Sequence, residues 1–409
     1  MKNVLVCLFL IYAWQQTLSQ EMTPKLMRAV IRRPDGNEIP FTLVTSSSKD
    51  GFPWTIRNAD ESIELKNMRR IGDSVFAELP VFESRLHFFV GRTERFEGTW
   101  FKGAPSGYNT QMVTIFPNQA QRFDGGAGNN AHQISGRWSV QFSREDKSTR
   151  QSIAEFKQDG DHLSGTFLNP SGDYRFLEGV IRGDSLFLST FDGSHAFYFS
   201  AFIENDRQIR GGIFCAGTSR KEGWTAMKDE NAKLSGDPEA PAVKDPNAPL
   251  DFRFPGLDGK MVSIRDNQFR GKPVIIQLMG SWCSNCMDET AFMSEFSKAY
   301  EPKGLAVVAL AYEYSTNFER SKNSLQKFKD RFHITYPLLI TGVTANDSLK
   351  TERSLPQLVK IESFPTTIFL DRSGRVVKIH TGFNGPATGV HYEEEKKYFR
   401  QVVDSLLSQ

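Results

Sequence analysis

The sequence predicts a multidomain protein: an all-β region, barrel or sandwich-like, followed by an α/β unit whose mixed sheet is flanked by helices. Two textures carry that expectation. Residues from about 22 to 228 alternate apolar and polar positions in short runs separated by turn signals such as "PDG", "QDGD" and "FDG", the pattern of antiparallel sheet. From Leu250 onward, continuous apolar runs alternate with helical periodicity and the chain closes on a hairpin and a helix. Between them, residues 229–249 hold four prolines and no periodic apolar pattern, which reads as an extended linker.

Taken in order, the elements justify five segments. Lys2 followed by the apolar run Val4–Trp14 and a small polar stretch reads as a secretory signal over residues 1–20. That run is short for a bilayer span, so an exported protein of the periplasm or cell envelope is expected. Residues 21–123 read as a small β unit of their own, including the runs "SIELKNM" and "DSVFAELPVF". Residues 131–228 read as an antiparallel barrel-like domain of roughly eight strands, with Trp138 and Trp224 as core residues. The Gly-rich "FDGGAGNN" between the two is a poor phosphate cradle, because no Lys-Ser/Thr and no helix follow it; it reads as a connector. The C-terminal unit spans 250–409. Its strands are expected in "KPVIIQLMG", "GLAVVALAYE", "TYPLLITG", "FPTTIFLD" and "RVVKIHTG". Its helices are expected in "CMDETAFMSEFSKAY", in "STNFERSKNSLQKFKDRF" capped by Ser315 or Thr316, and over Tyr392–Leu407, with a helical or turn segment around Leu355–Val359.

Composition narrows the function. A formal net charge of +2 with scattered arginines lacks the basic footprint of nucleic-acid binding. Four cysteines in 409 residues do not make a disulfide-stapled scaffold. Cys7 falls in the leader and Cys215 reads as a small buried strand residue. The remaining two lie in "SWCSNCMDET". Cys283 follows a buried strand and Cys286 falls in the first turn of a helix, where unpaired N–H groups stabilise a thiolate. Spacing of i, i+3 puts both sulfurs on one side within bonding reach, as a redox-active disulfide requires. Cys283 is expected to be the exposed nucleophile, Cys286 the shielded resolver, and Trp282 the residue flanking the reactive sulfur. A zinc site would need a second Cys or His pair, and haem attachment would need His where Met287 stands, so neither metal nor cofactor is expected.

A buried strand, Trp-Cys-x-x-Cys, a helix and a later "SFPTTIFLD" together resemble the thioredoxin fold. With "LDFRFPGLDGKMVSI", the strand "GLAVVALAYE" and "FPTTIFLDRSGRV", residues 250–409 resemble the exported TlpA-like and ResA-like thiol–disulfide oxidoreductases. The resemblance implies a cis peptide at Pro365, a groove formed by Trp282, Phe364 and Thr366, and a proton-handling acid at Glu313. It also implies reduction of protein disulfides and a membrane electron donor to recharge the pair. The dipeptide Ser284-Asn285 departs from the family, which often has a proline or a charge there. The alternative reading is a binding module, in which the β region holds a ligand or partner and the thioredoxin unit is structural.

Overall fold

The computed structural model describes residues 23–48, 51–91, 94–124, 132–217, 219–234 and 242–409. The expected leader, most of the Gly-rich connector and the middle of the linker lie outside them.

Residues 26–116 form a nine-stranded antiparallel sheet. The run Ser62–Met68 is not one strand. It breaks at Leu65, whose side chain turns into the core, to give the two edge strands Glu61–Glu64 and Lys66–Ile71. Because those edges are consecutive in sequence, the sheet curls around its own core of Phe41, Trp54, Phe88 and Trp100.

Residues 136–228 form a closed barrel. Eight of its nine strands each pair with the next, the two-residue strand Gly172–Asp173 pairing only with His162–Asn169, and the last, Arg220–Lys228, returns to pair with the first, Gly136–Ser143. Alternation across the pleat sends Trp138, Phe142, Phe167, Phe199, Phe214 and Trp224 inward, where Phe199 stacks between Phe167 and Phe214 at 4.5 Å from each. Side chains therefore fill the interior, as in small barrels generally. Cys215 sits fully buried in the strand Gln208–Ala216, with burial pushing its thiol pKa up.

The C-terminal unit has a five-stranded sheet. The central strand Val274–Met279 runs parallel to Ala306–Ala311, which is parallel to Leu338–Ile340; on its other side it is antiparallel to Thr366–Leu370, followed by Val376–Thr381. All six residues of Val274–Met279 are buried because helices cover both faces. The helices are α1 (Ser284–Tyr300), α2 (Phe318–Phe332), α3 (Lys350–Ser354) and α4 (Val390–Leu407). Asn317, not Ser315 or Thr316, caps α2, accepting from the Arg320 N–H at 2.9 Å. The short third helix ends before Pro356, and the expected helical or turn segment at Leu355–Val359 is a turn at Pro356 and Gln357.

The three units share surfaces. Val81 and Phe82 of the first sheet belong to the apolar cluster beneath α1 and α2, with Met279, Phe296 and Phe328. Arg320 on α2 clamps Glu83 through both carboxylate oxygens and also donates to the Ala104 carbonyl at 2.6 Å. Buried Arg122 ties the first sheet to the barrel through the Ser189 carbonyl and Glu178. His391 of α4 and Arg137 meet at Glu155 on the barrel. No described helix is long and apolar enough to cross a membrane.

Candidate active site

Cys283 is the N-cap of α1, and its Sγ accepts the Cys286 N–H at 3.2 Å. The two cysteines are joined as a disulfide with Cα atoms 5.2 Å apart. The helix opens here because Cys283 keeps an extended backbone while its sulfur takes up a free N–H of the first turn. The same amide would stabilise a Cys283 thiolate in the reduced state.

Opposite the disulfide, the Phe364–Pro365 peptide is cis, and the Phe364 carbonyl oxygen lies 3.7 Å from Cys283 Sγ. Trp282 is held on three sides. It stacks on Tyr314 at 4.9 Å, meets the edge of Phe364 at 5.9 Å, and donates its indole N–H to the Tyr312 carbonyl at 2.8 Å. Trp282, Cys283 and Phe364 all line one cleft of about 550 Å³. Thr366 does not join them: its side chain is buried, its hydroxyl donates to the Ser363 carbonyl, and its backbone is occupied by strands on both sides.

The opposite wall of the cleft belongs to the barrel, a feature absent from the sequence reading. Arg150, Tyr174, His195, Phe197 and Arg220 line it. The barrel also grips the motif directly. Ser194 Oγ donates to the Trp282 carbonyl at 2.7 Å. Ser284 Oγ reaches Asp192 at 2.7 Å and His195 at 2.9 Å. Asn285, with its amide turned to satisfy both partners, accepts from the Asp173 N–H at 2.8 Å and donates to its carbonyl at 3.1 Å. Arg175 is buried between Asp288 on α1, Glu61 on the first sheet and Asp192 on the barrel. Burial alone would lower its guanidinium pKa, but these carboxylates outweigh burial and keep it protonated. This cover leaves Cys283 only 6% exposed, far less open than expected, and Cys286 fully buried.

Glu313 follows the strand Ala306–Ala311 and is buried. Its two carboxylate oxygens take the Ser281 N–H at 2.8 Å and the Ser281 hydroxyl at 2.5 Å. Burial pushes its pKa up to about 7. It lines a small cavity with Glu83, Lys102, Ser281 and Trp282 and does not line the cleft of Cys283, so its link to the cysteines runs through Ser281. A second buried acid was missed in the sequence. Glu289 lies one turn after Cys286 and bonds Gln277 at 2.7 Å and Thr367 at 2.5 Å, and burial pushes its pKa up to about 7 as well. Its signal was available: the i, i+3 offset from Cys286 puts it on the same helix face. Among the described residues no cluster of His, Cys, Asp or Glu is arranged to hold a metal.

A family model described as Redoxin matches residues 236–396. The thioredoxin-like protein YneN of Bacillus subtilis is 31% identical over 162 residues, 39% of this chain and 81% of that protein. The thiol-disulfide oxidoreductase ResA of Geobacillus thermodenitrificans is 29% identical over 132 residues, 32% of this chain and 66% of the relative, so this chain spans just under two thirds of it. Among solved structures, a DsbF homologue from Corynebacterium diphtheriae is 25% identical, with a TM-score of 0.32, over 42% of this chain and 98% of that one.

Proposed function

The chain belongs to the thioredoxin-like redoxin family, and from that membership we propose a thiol–disulfide oxidoreductase that reduces protein disulfides through Cys283 and Cys286. One observation carries the reading: Cys283 Sγ caps α1 at the mouth of a cleft, facing the Phe364 carbonyl, with Cys286 bonded to it from the helix. In the reduced protein the Cys283 thiolate attacks a substrate sulfur and a mixed disulfide forms. The buried Cys286 then attacks Cys283 Sγ, releasing the substrate as a dithiol and restoring the intramolecular bond. Trp282 and Phe364 bound the approach, and the chain before the cis peptide at Pro365 offers its backbone to an extended substrate. Glu313 is a positioning acid in this scheme, acting on the motif through Ser281.

Export to the periplasm or cell envelope is part of the proposal, supported by the apolar run Val4–Trp14 after Lys2. A reductase in an oxidising compartment must be recharged, which calls for an electron donor at the membrane. In the alternative, a binding module whose β region holds a ligand or partner, that ligand would sit outside the barrel, because aromatic side chains occupy the interior.

Insulin reduction by the full chain tests the proposal. Turnover should vanish in Cys283→Ala. In Cys286→Ala the protein should accumulate as a mixed disulfide. Unchanged turnover in both variants refutes it.

A further inference from the structure

Asp192, Ser284 and His195 form a hydrogen-bonded chain at the wall of the cleft that holds Cys283. Asp192 is buried. Its carboxylate accepts the backbone N–H of Ser194 at 2.8 Å and that of His195 at 2.5 Å and lies 3.5 Å from the Arg175 guanidinium, so it stays ionised although burial opposes the charge. A carboxylate only accepts, so the single Ser284 hydroxyl proton is donated to Asp192 Oδ2, 2.7 Å away. The Ser284 oxygen then has only lone pairs for His195 Nδ1 at 2.9 Å, and that nitrogen must carry a proton. Asp192 Oδ2, 3.5 Å from the same nitrogen, demands the same assignment. Neutral His195 therefore has its free lone pair on Nε2. Stacking on Phe197 at 4.8 Å fixes the ring, and Nε2 has no hydrogen bond among the described residues.

We propose that His195, supplied by the barrel, is the general acid–base for exchange at Cys283. The inference rests on the thiol–disulfide reading and deepens it. Where reduced Cys283 is still a thiol, its proton passes to His195 Nε2, and the thiolate so formed bonds to a substrate sulfur. The substrate S–S bond breaks, the leaving sulfur departs with the electron pair, and it takes that proton back from the imidazolium. No electron enters from outside: one thiol and one disulfide become a mixed disulfide and one thiol. Asp192, through Ser284, holds the proton on Nδ1. Arg150, Arg220 and Asp173 line the same cleft, and Arg175 lies behind Asp192.

The test is stopped-flow exchange between the reduced full chain and a short peptide disulfide from pH 5.5 to 10. His195→Asn keeps a donor to Ser284 but removes Nε2. It should slow exchange about 100-fold near pH 6.5. The deficit should shrink toward wild type above pH 9, where thiolates form unaided. Ser284→Ala, which frees the tautomer, should show a smaller loss with the same convergence, and it stands in should His195→Asn fail to fold. A deficit constant across pH, or none, overturns the proposal. A wild-type chain that reduces no disulfide, or a Cys283→Ala variant as fast as wild type, instead overturns the oxidoreductase reading.

Discussion

Replacing Glu289 with Gln removes a buried titrating carboxyl while nearly preserving its shape. Burial pushes this group from 4.5 to about 7, against the bonds from Thr367 and Gln277 that favour its ionised form. Between those values the folded protein keeps a proton that the unfolded chain has released. The group's stabilisation is therefore complete below pH 4.5 and is lost as pH rises through 7. A gap of about 2.5 pH units, at about 1.36 kcal/mol each, corresponds to about 3 kcal/mol. Urea unfolding of the oxidised full chain, read at pH 4.5, 6, 7 and 8.5, measures it. Glu313 titrates in the same range but is present in both proteins, so the difference between them isolates Glu289. Relative to wild type, Glu289→Gln should gain about 2–3 kcal/mol between pH 5 and 8.5. Two unfolding curves that run parallel across that window would refute the claim that Glu289 holds its proton at neutral pH.

Glu313→Gln should lower the pH midpoint of cysteine alkylation in the reduced protein by about half a unit, because it removes a charge tied to the motif through Ser281. An identical alkylation profile would leave Glu313 with a purely structural role. Phe82→Ala should cost about 3–5 kcal/mol by thermal or urea unfolding, the usual penalty for emptying a buried aromatic site. A loss under about 1 kcal/mol would mean that the first sheet contributes little to the core beneath α1 and α2.

What was legible in the sequence follows from how local each signal is. The strand Val274–Met279 and α1 were readable because an unbroken apolar run and a cap position are each written within a few residues, whereas the cis peptide at Pro365 came only from the family resemblance, since an X–Pro step is usually trans. Barrel closure was readable because regular turns force neighbouring strands to pair. His195 was not: "FDGSH" reads as turn punctuation, and its meeting with Ser284, 89 positions later, depends on how two folded units pack. Expecting Cys283 to be exposed failed for the same reason. Local pattern says nothing of the barrel wall that faces that sulfur across the cleft. Glu313 was legible at its strand end, but its commitment to Ser281 rather than to a sulfur is set by the approach of two segments 32 residues apart.

The dipeptide that departs from the family pattern finds its reason in that packing. A proline at position 284 would delete the hydroxyl that joins Asp192 to His195, and a charged side chain at 285 could not replace the paired amide contacts to the Asp173 backbone. The barrel is shaped to match. Gly172 has φ +129°, and a Cβ there would fall 1.6 Å from the Asn285 amide. Glycine at 172 thus permits both the backbone conformation and the close approach. Ser284 and Asn285 are better explained as the docking face of the motif than as neutral spacers. Changes to either residue should therefore act on the reactivity of Cys283 through the barrel as much as through α1.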